Sequence, residues 1–198
     1  MKTQKQGRRP RRSDLWRALG IALDYSERRR LPLQREARRL VAVGRNRDGR
    51  AVRLTPRAAA AWRRMRRAAA RDGVRLRLIS GFRSVRRQAN MISDQLAQGR
   101  AIGAILRFLA APGCSEHHAG RALDIGSPAT PDLSARFART REFRWLRHHA
   151  VRFGFHLSYP RRNPHCLGYE PWHWCWHAGG KGGQQRAGAA KAVTRRAS

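Results

Sequence analysis

Acidic side chains are scarce in this chain of 198 residues. Twelve Asp and Glu face 44 Lys and Arg, for a formal net charge of +32. Lysine is rarer still, with four residues, so the positive charge is nearly all arginine. A surplus of that sign disfavours cationic partners and favours nucleic acid, membrane surfaces or anionic wall polymers. The arginines are scattered through helical stretches and form no single stripe, which suits a solvated surface better than a dedicated groove. Cysteine is nearly absent: Cys114, Cys166 and Cys175 are too few for a disulfide framework. Cys166 and Cys175 could pair only if the fold brings them together. No apolar run approaches the ~20 residues of a membrane helix. The stretch from Ala101 to Ala111 is short, and Arg107 interrupts it. The opening MKTQKQGRRPRRSD is basic with no apolar segment behind it, so it does not read as a secretory signal.

What is present points to one domain. Hydrophobic residues make up 41% of the chain, enough for a core, and the length is too short for two large domains. All six tryptophans lie between residues 14 and 178, the expected organised part. Residues 1–13 and 179–198 read as basic, flexible tails.

Thr55-Pro56 is a helix start, with a hydroxyl cap and proline in the first turn. Ala58, Ala61, Trp62, Met65 and Ala69 then recur at helical spacing until Asp72-Gly73. VRLRLIS alternates as a strand and runs into GFRS, where Ser84 can cap a second helix ending at Gly99. A short helix is expected from Ile102 to Ala110, and a longer one through FARTREFRWLRHHAVRFG. RALDIG, FHLSYP and YEPWHWCW read as strands. Helices before and among strands predict an α+β fold with a central, largely antiparallel sheet.

The chemistry gathers in two places. In SEHHAGRALD, residues 115–124, a strand would bury Leu123 and Ile125 on one face and turn Asp124 to the other. Gly120 lets the chain bend so that His117 can approach Asp124. An imidazole and a carboxylate are normal zinc ligands. The second place is EPWHW, residues 170–174, with Glu170 and His173 among aromatics. His117, Asp124 and His173 would supply the three protein ligands of a catalytic zinc site. Glu170 would be the base beside its water. The remaining histidines, His118, His148, His149, His156, His165 and His177, read as structural, with His177 lying near the proposed site.

GFRS with a downstream glutamine, then PGCSEHHAGRALDIG, GFHLSYP and YEPWHW, occur in that order. Together they resemble the D-alanyl-D-alanine carboxypeptidase family in its VanY-like branch, which shares a fold with the sonic hedgehog N-terminal domain. The likeness runs from about Leu31 to His177. It implies a hedgehog/DD-peptidase-like single domain in which His117, Asp124 and His173 match the zinc ligands and Glu170 the general base. Arg83 matches an arginine that contacts substrate and stabilises developing negative charge. Gln88 and Ser115 match polar residues that bind the peptide terminus, and Tyr159 is a further candidate for that pocket. The implied reaction removes the terminal D-alanine from peptidoglycan stem peptides.

Rival readings are an L-Ala-D-Glu endopeptidase or LD-carboxypeptidase with the same motifs, or a non-catalytic module binding nucleic acid or an anionic polymer. A monomer is expected. The implied substrate points to the periplasm or cell envelope, whereas the basic start leaves the cytoplasm open. Cys114, beside the motif serine, places a thiol close to the expected metal.

Overall fold

A computed structural model describes residues 11–179. The first ten residues of the basic start, and the C-terminal stretch from residue 180, lie outside the described residues. Two short helices, α1 (Arg12–Ala18) and α2 (Tyr25–Arg28), precede a hairpin of β1 (Val41–Arg45) and β2 (Ala51–Leu54). None of these was expected from periodicity. The hairpin closes through Asp48-Gly49, with Gly49 at φ 73° and the Asn46 side chain accepting from the Arg50 amide at 2.9 Å. Helix α3 (Pro56–Arg71) buries the expected stripe of Ala58, Ala61, Trp62, Met65 and Ala69. Its Thr55 makes no side-chain cap. Instead the Thr55 amide donates to the Gly120 carbonyl at 2.8 Å, tying the helix start to the turn after His117.

The main sheet is antiparallel throughout, in the order β3 (Arg77–Ser80), β4 (Ala122–Gly126), β6 (His173–Trp176), β5 (Phe155–Leu157). Helix α4 (Val85–Ala97) starts where Ser84 accepts from the Arg87 amide, as its sequence predicts. Helix α5 (Ile102–Ile105) is only one turn, shorter than the stretch expected to reach Ala110. The long helix expected after Phe137 divides into a 3-10 turn (Ala135–Arg139), α6 (Arg141–His149) and a second 3-10 turn (Ala150–Phe153). Thr140 causes the first break by capping α6 through the Phe143 amide at 3.2 Å. FHLSYP pairs only over its first half, because β5 ends at Leu157 before a turn. Likewise YEPWHWCW pairs only from His173.

Two cores flank the sheet. Leu123, Ile125 and Trp174 join α3, Leu146 and Phe155 in the larger one. Trp16, Tyr25, Ile92, Ile105, Cys114 and Tyr159 form the other. Strand alternation therefore turns Asp124 and His173 away from the larger core and toward the second. The three cysteines are free, so Cys166 and Cys175 are not bonded. Among the described residues no helix is long and apolar enough to cross a membrane.

Candidate metal centre and active site

Three separate elements deliver the expected ligand side chains. His117 sits in a 3-10 turn (Glu116–Ala119) that ends at Gly120, whose φ is 62°. Asp124 is the middle residue of β4, and His173 is its direct cross-strand partner on β6. Their ligand atoms all lie within 4.8 Å of one another, and all three side chains are buried. The two imidazoles meet edge to face with ring centroids 4.9 Å apart.

Hydrogen bonding fixes how each ring faces the site. The His117 Nδ1 lies 2.7 Å from the Gly81 carbonyl, which can only accept, so Nδ1 carries the proton. The Nε2 lone pair then faces Asp124 Oδ2 at 3.3 Å. Burial lowers the His117 pKa, which favours this neutral form. Two acceptors so close repel unless a cation lies between them, and the set therefore fits a divalent ion. His173 faces Asp124 Oδ1 through Nδ1 at 3.2 Å and Glu116 Oε2 through Nε2 at 2.9 Å. Burial alone would depress the His173 pKa, but these two carboxylates outweigh it and push it up to about 10. Asp124 shows the converse. Burial opposes its charge, yet His117 and His173 hold it well below the usual carboxylate range.

Glu170 lies beside the triad, its Oε2 3.9 Å from His173 Nδ1. Burial first, then the Asp124 and Glu116 carboxylates, raise its pKa to about 7 against the pull of His173 and Arg83. A carboxyl poised near neutrality can take up and return a proton without leaving its place. Arg83 enters from the segment after β3. Its Nη1 donates to Gln88 Oε1 at 2.9 Å, and its Nη2 lies 3.9 Å from Asp124 Oδ2. Gln88 donates its amide nitrogen to the Ala110 carbonyl at 2.6 Å, so both ends of the amide are engaged. These side chains, with Ser115, line a cavity of about 450 Å³ whose apolar wall includes Met91, Phe108 and Leu109. Tyr159 also lines it, and its ring lies against His173 at 4.8 Å between centroids.

All eight expected residues thus surround one cavity. Glu116 was not among them. It is the carboxylate under His173, and it also accepts from the Ser158 hydroxyl at 2.6 Å. These partners overcome the effect of burial and bring its pKa to about 2. Three of the twelve acidic residues, Glu116, Asp124 and Glu170, therefore gather here in a strongly basic chain. His118 is structural, as expected: it accepts from the Gly113 amide through Nε2 and donates to the Arg83 carbonyl through Nδ1. Among the described residues Cys114 joins no group of candidate ligands. It packs in the second core, where burial raises its pKa to about 11.

The VanY family model, described as D-alanyl-D-alanine carboxypeptidase, matches residues 51–179. The chain belongs to this family. That segment holds every element of the cavity named above. Among VanY-family relatives, the Bacillus subtilis protein YodJ is 34% identical over 119 residues, covering 59% of this chain and 43% of its own. The Enterococcus gallinarum bifunctional D-Ala-D-Ala dipeptidase and D-Ala-D-Ala carboxypeptidase VanXYC is 31% identical over 127 residues, covering 62% of this chain and 66% of its own. The chain thus spans less than two thirds of either relative. The fold matches that of the LD-carboxypeptidase LdcB with TM-score 0.65 and 30% identity, over 73% of this chain and 71% of that one. It also matches VanY of the VanB-type cassette in complex with Zn(II), with TM-score 0.56 and 25% identity, over 73% of this chain and 85% of that one. The same enzyme type in complex with D-Ala-D-Ala matches with TM-score 0.56 and 26% identity, over 73% of this chain and 80% of that one. The α+β fold with an antiparallel sheet is therefore that of the VanY/LdcB peptidases.

Proposed function

We propose that the protein is a zinc-dependent D-alanyl-D-alanine carboxypeptidase that hydrolyses the terminal D-alanine from peptidoglycan stem peptides. The observation that carries this reading is the convergence of His117, Asp124 and His173, with Glu170 and Arg83 at the same cavity. His117 Nε2, an Asp124 oxygen and His173 Nδ1 would hold the ion. When bound, zinc supplies Lewis-acid polarisation of the scissile carbonyl and lowers the pKa of a water toward neutrality. Glu170 accepts the proton from the attacking water and returns it to the leaving amine, since its carboxylate stands beside the triad. Arg83 receives the terminal carboxylate or the developing oxyanion through its planar fork. Gln88 holds that fork in place. Ser115 and Tyr159 complete the wall of the terminal pocket. The peptide enters between these polar groups and the apolar side chains of Met91, Phe108 and Leu109.

Support for the D-Ala-D-Ala end comes from the family and from the VanY neighbour that binds that dipeptide. The match to LdcB favours one second reading, release of D-alanine from a tetrapeptide. Product mass on synthetic pentapeptide and tetrapeptide separates the two. The deciding variant is Glu170→Gln, which should keep zinc stoichiometry and lose D-alanine release by at least about 100-fold, the low end of what acid–base catalysis contributes. Wild-type release by that variant removes Glu170 from the mechanism.

A further inference from the structure

Strand β6 carries more ligand chemistry than the triad uses. Alternation puts His173 and Cys175 on one face, and His177 continues that row just past the strand end, while Trp174 and Trp176 take the other. Cys175 lies opposite Ala122 on β4 and His156 on β5. Glu116 reaches over this face from its 3-10 turn. One ligand atom each from Glu116, Cys175 and His177 fall within 4.8 Å of one another. An ion bound at about 2.0–2.3 Å to each can draw such a set together with small side-chain rotations.

Two neighbouring observations favour a ligand here. The His156 ring packs against His177 with centroids 5.4 Å apart, and its Nε2 is enclosed without a hydrogen-bond partner. Glu116 directs its hydrogen bonds with His173 and Ser158 to Oε2. A carboxylate has a second oxygen for a cation.

We propose that Glu116, Cys175 and His177, with the His156 ring packed beside His177, form a second site for a thiophilic divalent cation such as zinc or cadmium. Sulfur and imidazole select these ions over magnesium or calcium. Binding at the site does not depend on the peptidase reading; its consequence for the reaction does. An ion here shares the Glu116 carboxylate with His173, draws on its charge and weakens the support of that ring, so occupancy slows hydrolysis.

Zinc-loaded full-length protein titrated with Cd²⁺ tests both parts. The ultraviolet thiolate-to-cadmium charge-transfer band reports the second site alone, because the triad contains no thiol. The band is expected with one further equivalent per chain, to persist in Cys166→Ser, and to vanish in Cys175→Ser. His177→Ala should weaken the binding at least about 10-fold, since loss of a direct ligand costs no less than loss of an outer-shell contact. Absence of the band, or its survival in Cys175→Ser, overturns the site. D-alanine release followed in parallel should fall as the band fills, whereas His177→Ala keeps its starting rate and resists inhibition. A filled band with an unchanged rate overturns the coupling through Glu116, and a protein inactive from the outset yet showing the band faults only the peptidase reading.

Discussion

At the scale of single residues, the centre depends on which atom each imidazole turns inward. The Gly81 carbonyl settles this for His117 and the Glu116 carboxylate for His173. Under the proposed function Glu116 therefore acts through His173 rather than on substrate. Glu116→Ala should lower zinc affinity about 10–100-fold, measured by competition with a chromophoric chelator. An unchanged affinity would show that the ring keeps its place without Glu116. Glu170 is the residue to follow with pH. Its pKa of about 7 in the metal-free protein is raised, so the folded state retains a proton that the unfolded chain gives up near the ordinary value of 4.5. The stability linked to that proton is complete below 4.5 and is lost as pH rises through about 7. A cation in the triad should pull the pKa down. Carbon-13 NMR of the labelled carboxyl should show that downward move on adding zinc, and a static titration would place Glu170 away from the ion. His117, Asp124, His173 and Glu170 were legible from residue type and motif. Glu116 was not, because a glutamate next to a ligand in sequence gives no sign of which strand will lie over it.

At the scale of elements, short pieces do most of the positioning. The 3-10 turn carrying His117 is anchored by Gly120, whose carbonyl takes the Thr55 amide and whose φ is 62°. A Cβ there would meet Leu40 at 3.0 Å and Ala37 at 3.1 Å. Gly120→Ala should cost about 1–2 kcal/mol from the left-handed backbone alone, with the crowding added to it. Urea denaturation reads the loss, and zinc affinity should fall with it because the turn holds His117. A variant as stable as wild type would mean that the turn relaxes freely. The long elements were visible beforehand: α3 through its alanine and tryptophan stripe, α4 through Ser84. The hairpin at Val41–Leu54 was not foreseen, because its residues alternate weakly and its arginines mask the pattern. The helix expected across Phe137 to Phe153 broke because Thr140 bonds the Phe143 amide, a local choice that apolar spacing does not reveal.

At the scale of the whole molecule, the centre clasps three parts of the chain on the face of the sheet away from the larger core. Metal binding to the folded form alone should stabilise it by about 2.7 kcal/mol when free zinc is a hundredfold above Kd. Thermal unfolding with zinc and with a chelator measures this. An identical Tm in both would mean that the ion does not bridge these elements. Among the described residues the arginines are exposed or half-buried, whereas Asp124 and Glu170 line the cavity together with Arg83. By itself the sequence determined the helix and strand character of the chief elements, the ligand residue types and the family, because periodicity and motif are local properties of a chain. Only the tertiary structure decided that Asp124 and His173 stand opposite each other, which nitrogen each histidine offers, and that Glu116, Cys175 and His177 meet. Those facts follow from strand register and from contacts between distant segments, and no spacing along the chain encodes them.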